Sequence, residues 1–395
     1  MEEKRVIYGD WAATSPVCAE AAEAVRPFLF GGEGEEWFGN PSSLHDLGQA
    51  AKEAVRQGRA QTARLIGADP EELFFTSCAT ESINWAIKGT AFRALAEGSV
   101  RRRFLVSAVE HPAVLRTCES LAPLGFRTDY IPVDGNGVVS LEALRRMMGE
   151  DCLLCAVMHA NNETGVLQPA SECAELAHAN GALFLCDGVQ TVGHIPVDVK
   201  ALGCDFLPLS GHKLGAPKGV GALYIKRGVS LSPILHGGGQ EGGMRSGTEN
   251  VPGIVGLGRA CRLCEEELQK GEDRRIAALR DRIEAELSAL GGTVNGGGAE
   301  RTPGILNLSF SDLGGEALML LCSLYGVCIS TGSACSLGHG DGISHVLRAM
   351  NLTEKRANGS VRISIGRGTT EADANEIVRI AEKCIRSIRE ESSIG

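Results

Sequence analysis

The chain offers no place to cross a membrane: in its 395 residues no apolar run approaches the ~20 residues a span requires. Its first eight residues, Met1 to Tyr8, are charged and lack the hydrophobic core of an export signal, so a cytoplasmic location is expected. Positive charge is also short. Lys and Arg number 39 against 49 Asp and Glu, a net charge of −10, which argues against a nucleic-acid binder. There is no internal repeat and no low-complexity tail. Cysteine is plentiful at 14 residues, but most lie in apolar segments and read as small buried hydrophobes of a reducing compartment. Cys152-x-x-Cys155 and Cys261-x-x-Cys264 lack a further pair at zinc spacing, so no resident metal is expected. The first pair falls in a strand, where the two thiols would point to opposite faces; the second falls on a helix.

What is present is an alternation of short apolar strands and amphipathic helices. Strands are expected at 73–75, 104–108, 153–158, 182–186, 206–209 and 221–225. Helices are expected at 50–66, 82–96, 141–148 and 170–179. Strands apolar on both faces predict an α/β fold with a mostly parallel central sheet and helices on both faces. Functional residues then belong at the carboxyl ends of the strands. The length points to a large domain over 15–258 and a smaller α+β domain built from 1–14 and 259–395. The charged stretch 259–290 reads as one long connecting helix and the glycine-rich stretch 291–298 as a surface loop. Strands near 305–310, 327–330 and 360–365 and a closing helix at 371–389 complete the small domain.

Ser210-Gly211-His212-Lys213 begins 23 residues after Asp187 of Asp187-Gly188-Val189-Gln190, and each follows an apolar run. A lysine on such a turn, preceded by a strand that ends in an acid, is what a pyridoxal phosphate enzyme requires. The lysine supplies a Schiff base, the acid pairs with the pyridinium nitrogen, and Ser210 and His212 can reach the phosphate. Gln190 is placed to donate to the ring's phenolic oxygen. Phe75 to Ser82 reads as a strand-to-helix turn whose free amides suit a phosphate, with the Thr80 hydroxyl beside them. Taken alone it reads more readily as an ordinary helix cap. Glu110-His111-Pro112 puts a histidine at a strand end, where it can stack on a flat ring and move protons. Asn161-Asn162-Glu163-Thr164-Gly165 follows another strand and offers amides, in a pattern that ordinary turns share. The glycine-rich run 236–248 lacks the strand–GxGxxG–helix context of a dinucleotide site and fits better as a loop reaching a phosphate in another subunit. Cys335 is the outlier among the thiols. It stands in a small, polar, glycine-rich segment expected to be accessible, as a reactive thiolate must be.

Together these segments resemble the cysteine desulfurases of the NifS/IscS type, which are fold-type I pyridoxal phosphate enzymes. The resemblance spans nearly the whole chain, from Tyr8-Gly9-Asp10-Trp11-Ala12-Ala13-Thr14 through Arg362-Ile363-Ser364. Its most specific stretches are Phe38-Gly39-Asn40-Pro41-Ser42-Ser43, Glu110-His111-Pro112-Ala113-Val114, Asn161-Asn162-Glu163-Thr164-Gly165, Ser210-Gly211-His212-Lys213, Gly242-Gly243-Met244-Arg245-Ser246-Gly247-Thr248 and Gly332-Ser333-Ala334-Cys335. Cys78, Trp11 and Ser15 depart from the commonest family pattern.

The resemblance implies pyridoxal 5'-phosphate as cofactor and L-cysteine as substrate, converted to L-alanine. Lys213 would be the Schiff-base lysine, Asp187 the partner of the pyridinium nitrogen and Gln190 that of the ring oxygen. His111 would stack on the ring and act as acid or base. Ala79, Thr80, Ser210 and His212 would hold the phosphate, with Thr248 reaching that of the neighbouring subunit in a homodimer. Asn162 would contact cofactor or substrate. Arg362 would clamp the substrate carboxylate, joined by Asn40. Cys335 would accept the sulfur as a persulfide and pass it to an iron–sulfur scaffold protein or another acceptor, with a transient iron–sulfur cluster contact at Cys335 also open. The alternatives are a selenocysteine lyase, or another pyridoxal phosphate-dependent C–S lyase or aminotransferase on the same fold. A non-catalytic scaffold is disfavoured by the intact lysine, acid and cysteine.

Overall fold

The computed structural model describes residues 6–30, 37–331 and 343–394. The strands in chain order are β1 (Ile7–Tyr8), β2 (Leu73–Thr76), β3 (Arg103–Ser107), β4 (Arg127–Ile131), β5 (Cys152–Ala156) and β6 (Leu183–Leu185), then β7 (Phe206–Ser210) and β8 (Gly221–Ile225), and finally β9 (Thr293–Val294), β10 (Ile305–Ser309), β11 (Val327–Cys328) and β12 (Ser360–Ser364). Seven of them form one sheet in the order β2-β8-β7-β6-β5-β3-β4. All of its pairings are parallel except those of β8, which runs antiparallel to both β7 and β2. The fold is the expected α/β class: a mostly parallel sheet with helices on both faces.

The two faces follow from the period-2 alternation of side chains along a strand. Leu105, Cys155, Leu207, Leu209, Ala222 and Tyr224 enter one apolar cluster, with the helices Asp46–Leu65, Ala170–Ala179 and Val251–Gln269. Their chain neighbours Phe104, Val106, Leu154, Ala156, Phe206 and Leu223 enter another, with helix Ala79–Ala96. A third cluster gathers Ile7 with residues between Ile276 and Ile385, around the antiparallel sheet β12-β10-β9 and the long C-terminal helix Glu371–Ile394. Of the thirteen cysteines described, ten are buried, as apolar packing of small thiols requires.

Four expectations need correction. Cys152 and Cys155 share one cluster rather than opposite faces, because the β3–β5 register shifts between Arg103 and Phe104 and a bulged residue restores the side. The stretch 259–290 is two helices, Val251–Gln269 and Glu272–Ala289, separated by Gly271 at φ 81°, a left-handed conformation that glycine adopts without a Cβ penalty. The glycine-rich stretch 291–298 is not merely a surface loop: it holds β9, and the Asn295 side chain is wholly buried, bonding Asn307 and Ser309 at 2.7 Å each. The edge strand β4, Arg-Thr-Asp-Tyr-Ile, was missing from the expected set, because one buried residue in five leaves little apolar signal.

In the small sheet, Gly359 lies against the Phe310 main chain so closely that a methyl group there would drive into the Phe310 carbonyl. Gly359→Ala should therefore lower stability by about 1–3 kcal/mol, read by urea denaturation; an unchanged midpoint would show that the two backbones can separate freely.

Candidate active site

The carboxyl ends of the parallel strands converge on one region. After β3, His111 caps the helix Pro112–Glu119, its Nδ1 accepting from the Ala113 N–H at 3.1 Å. Proline suits the first helical position, where the missing N–H would have no partner. With Nδ1 occupied as an acceptor, the neutral ring carries its proton on Nε2. Burial, followed by the positive neighbours Lys213 and His345, brings the His111 pKa down to about 4.

Beyond β6, Asp187 is 6% exposed and accepts at Oδ1 from the Val189 N–H at 3.0 Å. Burial raises its carboxyl to about 6, against the opposing pull of that N–H and of Lys213. Gln190 Nε2 donates to the Ala12 carbonyl at 3.0 Å. Lys213 rides the single helical turn Gly211–Leu214 after β7, and its Nζ donates to the carbonyls of Ala12 at 2.5 Å and Ala13 at 2.8 Å. Two long polar side chains thus close on one main-chain oxygen. His212 Nδ1 lies 3.1 Å from Thr14 Oγ1, and burial, then Lys213 and Lys218, lower its pKa to about 4. Ser210 is buried at the end of β7.

At the other end of the region, helix Ala79–Ala96 begins after Cys78, whose side chain caps nothing. Its first amides, at Ala79 and Thr80, are therefore without a side-chain cap, the arrangement that suits an anion. Gly221 of β8 permits this turn, since a Cβ there would press within 2.9 Å of the Cys78 backbone. The glycine-rich loop is tied to the same helix by the Arg245–Glu81 ion pair at 2.7 Å. Burial favours the neutral acid at Glu81, but Arg245 and Ser77 outweigh it and hold the carboxyl below its ordinary value. Glu241 anchors the loop further, pairing with Arg59 at 2.6 Å and accepting from the Phe75 N–H at 2.9 Å. Thr248 is exposed on this loop.

Arg362 comes from β12, on the smaller sheet. Its Nη2 donates to Asp10 Oδ1 at 2.7 Å and its Nη1 to the Asn162 carbonyl at 2.9 Å, while Nε is buried without a partner among the described residues. Asn162 therefore meets Arg362 through its main chain. Asn40 stands in an exposed turn with Oδ1 accepting from the Ser42 N–H at 2.9 Å, and among the described residues no hydrogen bond joins it to Arg362. Cys335 lies outside the described residues. The flanks of its segment are described: Ser330 and Arg362 exchange main-chain bonds of 3.0 and 2.6 Å, and Ser344 Oγ donates to Glu163 Oε2 at 2.5 Å.

The donor set fits pyridoxal phosphate. It comprises a lysine whose described partners are main-chain carbonyls, a buried acid near it, a neutral imidazole, and a helix start without a side-chain cap. Sequence reasoning did not single out Asp10, Glu163 or the Ala12 carbonyl. Asp10 stands in a stretch that the family resemblance already covered, yet nothing in the sequence pairs it with Arg362. At Ala12 the active group is a backbone oxygen, which every residue type supplies. Glu110 enters the sequence pattern only as the neighbour of His111. It is 1% exposed, accepts at Oε1 from the Met158 N–H at 2.5 Å, and leaves Oε2 without a partner among the described residues. Burial, then the Asp187 charge, pushes its carboxyl well above the ordinary range against that N–H. Among the described residues no cluster of His, Cys, Asp and Glu could hold a metal ion, and no helix is long and apolar enough to cross a membrane.

Residues 7–377 match the family model for aminotransferase class-V. The chain is 42% identical over 393 residues to "Cysteine desulfurase IscS" of Methanosarcina thermophila, covering 99% of this chain and 95% of that protein. It is 44% identical over 390 residues to "Cysteine desulfurase IscS" of Dictyoglomus turgidum, covering 98% and 96%. Among solved structures, a "NIFS-LIKE PROTEIN" superposes with a TM-score of 0.87 at 37% identity over 96% of this chain and 99% of that one. "SspA in complex with cysteine" superposes with a TM-score of 0.78 at 33% identity, over 92% and 99%.

Glu110 has a consequence for stability. Its folded pKa lies above its unfolded one, so the native chain keeps a proton that the unfolded chain has released. The stability this proton carries is complete below the ordinary glutamate value and is lost as pH rises toward the folded value. Glu110→Gln removes the effect, so between pH 5 and 8 its unfolding free energy should fall less steeply than the parent's, by up to ~1.4 kcal/mol per pH unit in urea titrations. Parallel curves would mean that the Glu110 carboxyl is not held neutral.

Proposed function

The chain belongs to the class-V aminotransferase family and is a pyridoxal phosphate-dependent cysteine desulfurase, and on that footing we propose that Lys213 carries the cofactor, Arg362 holds the substrate carboxylate and Cys335 takes the sulfur. The observation that carries this assignment is the meeting of Lys213 and Gln190 on the Ala12 carbonyl, beside the buried Asp187. When bound, the cofactor supplies an electron sink for the substrate's α-carbon.

The chain's own groups do the rest. Lys213 Nζ removes and returns the α-proton. Asp187 pairs with the ring nitrogen, and at neutral pH a carboxyl with a pKa of about 6 is mostly ionised, as that partner requires. His111, neutral with its proton on Nε2, covers the ring and holds a proton there for exchange. Gln190 reaches the ring oxygen. The amides of Ala79 and Thr80, with Ser210 and His212, hold the phosphate. Arg362 offers its guanidinium to the substrate carboxylate, with the Asn162 carbonyl beside it; Asn40 would have to come from its exposed turn to join them. The Cys335 thiolate attacks the sulfur of L-cysteine. A new S–S bond forms, the Cβ–S bond breaks with its electron pair going to carbon, and a proton completes L-alanine. The persulfide on Cys335 then serves an iron–sulfur scaffold protein or another sulfur acceptor in the cytoplasm.

The active unit we infer is a homodimer in which Thr248 reaches the phosphate of the neighbouring subunit. Support comes from exposed apolar side chains in one stretch of chain, Leu29, Phe30, Trp37, Phe38 and Leu44, and from Pro41 and Ser42 of the same stretch, which border the glycine-rich loop at Gly238 to Gly242. For the domain division, the third apolar cluster supports a smaller unit that includes the N-terminal strand. Helix Val251–Gln269 contributes Cys261 and Cys264 to the large core, so the boundary is better placed at Gly271 than at 258–259.

Three experiments test this reading. Alanine and sulfide released from L-cysteine in the presence of a thiol reductant should be abolished in Cys335→Ala while its cofactor colour persists. Equal activity would make Cys335 incidental and favour a different lyase or an aminotransferase. Arg362→Ala should lower kcat/KM for L-cysteine by roughly 10- to 100-fold, the worth of a charge-assisted bond. An unchanged value would move the carboxylate elsewhere. Thr248→Ala should weaken cofactor binding and stay dimeric in sedimentation; undiminished affinity excludes the cross-subunit contact.

A further inference from the structure

Arg362 is bonded to one carboxyl group and lies within electrostatic reach of a second. Asp10 bonds its Nη2 at 2.7 Å, and Glu163 acts on it electrostatically from the residue next to Asn162, whose carbonyl takes Nη1. Glu163 is 3% exposed and rigidly held. Its N–H donates to Asn161 Oδ1 at 2.9 Å, its carbonyl accepts from Asn307 Nδ2 at 3.2 Å, and its Oε2 accepts from Ser344 Oγ at 2.5 Å. Ser344 in turn accepts from the Val346 and Leu347 amides at 3.1 and 3.3 Å, fixing the start of the next helix. Among the described residues, the groups that bond Glu163 or act on its charge are Arg362 from β12, itself paired with Asp10, the hydroxyl of Ser344, and the uncharged amides of Asn161 and Asn307.

A substrate carboxylate placed on Arg362 adds a third acid to a buried region that already holds Asp10, bonded to that guanidinium, and Glu163, one residue from the Asn162 carbonyl that Arg362 also bonds. Surplus negative charge in a low dielectric is relieved by proton uptake at the least hydrated acid. We propose that Glu163 is a positioning residue for substrate recognition, which takes up one proton from solvent as the substrate carboxylate docks on Arg362 and leaves Asp10 as the guanidinium's charged protein partner. The proposal rests on the reading of Arg362 as the carboxylate site. Burial already raises the Glu163 carboxyl to about 7, with Ser344 and Arg362 opposing, so the free site is poised between its two forms at neutral pH.

Propionate tests this, because it carries a carboxylate but no amine or thiol. Its competitive inhibition constant against L-cysteine is measured on the holoenzyme from pH 6 to 8.5 for the parent, Glu163→Gln, Ser344→Ala and Arg362→Ala. In the parent the constant should rise about tenfold per pH unit above pH 7, since binding then requires a proton that the free site has lost. In Glu163→Gln it should stay flat. In Ser344→Ala the rise should begin at higher pH, because the lost hydrogen bond favoured the carboxylate; this variant carries the test if the glutamine form folds poorly. The same slope in the parent and Glu163→Gln, with binding still dependent on Arg362, overturns the proposal and leaves the assigned function standing. Binding that ignores Arg362→Ala overturns the carboxylate assignment, and the proposal falls with it.

Discussion

Residues 7 to 15 form a seam between the seven-stranded sheet and the smaller sheet around β12, and the arrangement of the candidate site depends on its main chain. On one side, β1 pairs with β11, the Trp11 and Ala12 amides donate to the main chain and hydroxyl of Ser364, and Asp10 meets Arg362. On the other, the Ala12 and Ala13 carbonyls hold Lys213, Ala12 holds Gln190, and Thr14 and Ser15 bond His212. Buried backbone groups must find partners. Because those of this short stretch are divided between both sides, the position of the lysine and that of the arginine are set by the same few peptide units.

Around the seam, burial sets the protonation states. The imidazoles of His111, His159 and His212 are each drawn down to about 4, chiefly by burial, so they are neutral across the physiological range. The carboxyls move the other way: Asp187 to about 6, Glu163 to about 7, and Glu110 well above the ordinary glutamate value. A neutral imidazole can cover a ring and hold a proton without repelling a nearby lysine. A carboxyl that remains ionised while buried needs a cationic partner, and Asp187 has Lys213 near it. Glu110 has burial and then the Asp187 charge acting on it instead, and both favour its neutral form.

Much of this was legible beforehand. The apolar strands of the large sheet announced themselves because both faces are covered, and the turns that follow them carry Lys213, Asp187 and His111 in the expected places. Elements with mixed surroundings were harder to see. Strand β4 is an edge with a single buried residue, the chain break at Gly271 falls inside an unbroken charged pattern, and a one-residue bulge puts Cys152 and Cys155 on the same face. Asn295, in a stretch that looks like loop, is the hub of a buried amide network because strand β10 brings Asn307 and Ser309 to it.

The sequence by itself determined the fold class and the cofactor chemistry, because these depend on local periodicity and on motifs that few other folds demand. Only the tertiary structure decided what surrounds them. The convergence of Lys213 and Gln190 on Ala12, the sharing of Arg362 between Asp10 and Asn162, and the link from Glu163 to Ser344 join residues some 180 to 350 positions apart. Such contacts arise from how the large and small sheets meet along a seam of main-chain hydrogen bonds, and a backbone carbonyl has no residue type by which a sequence could announce it.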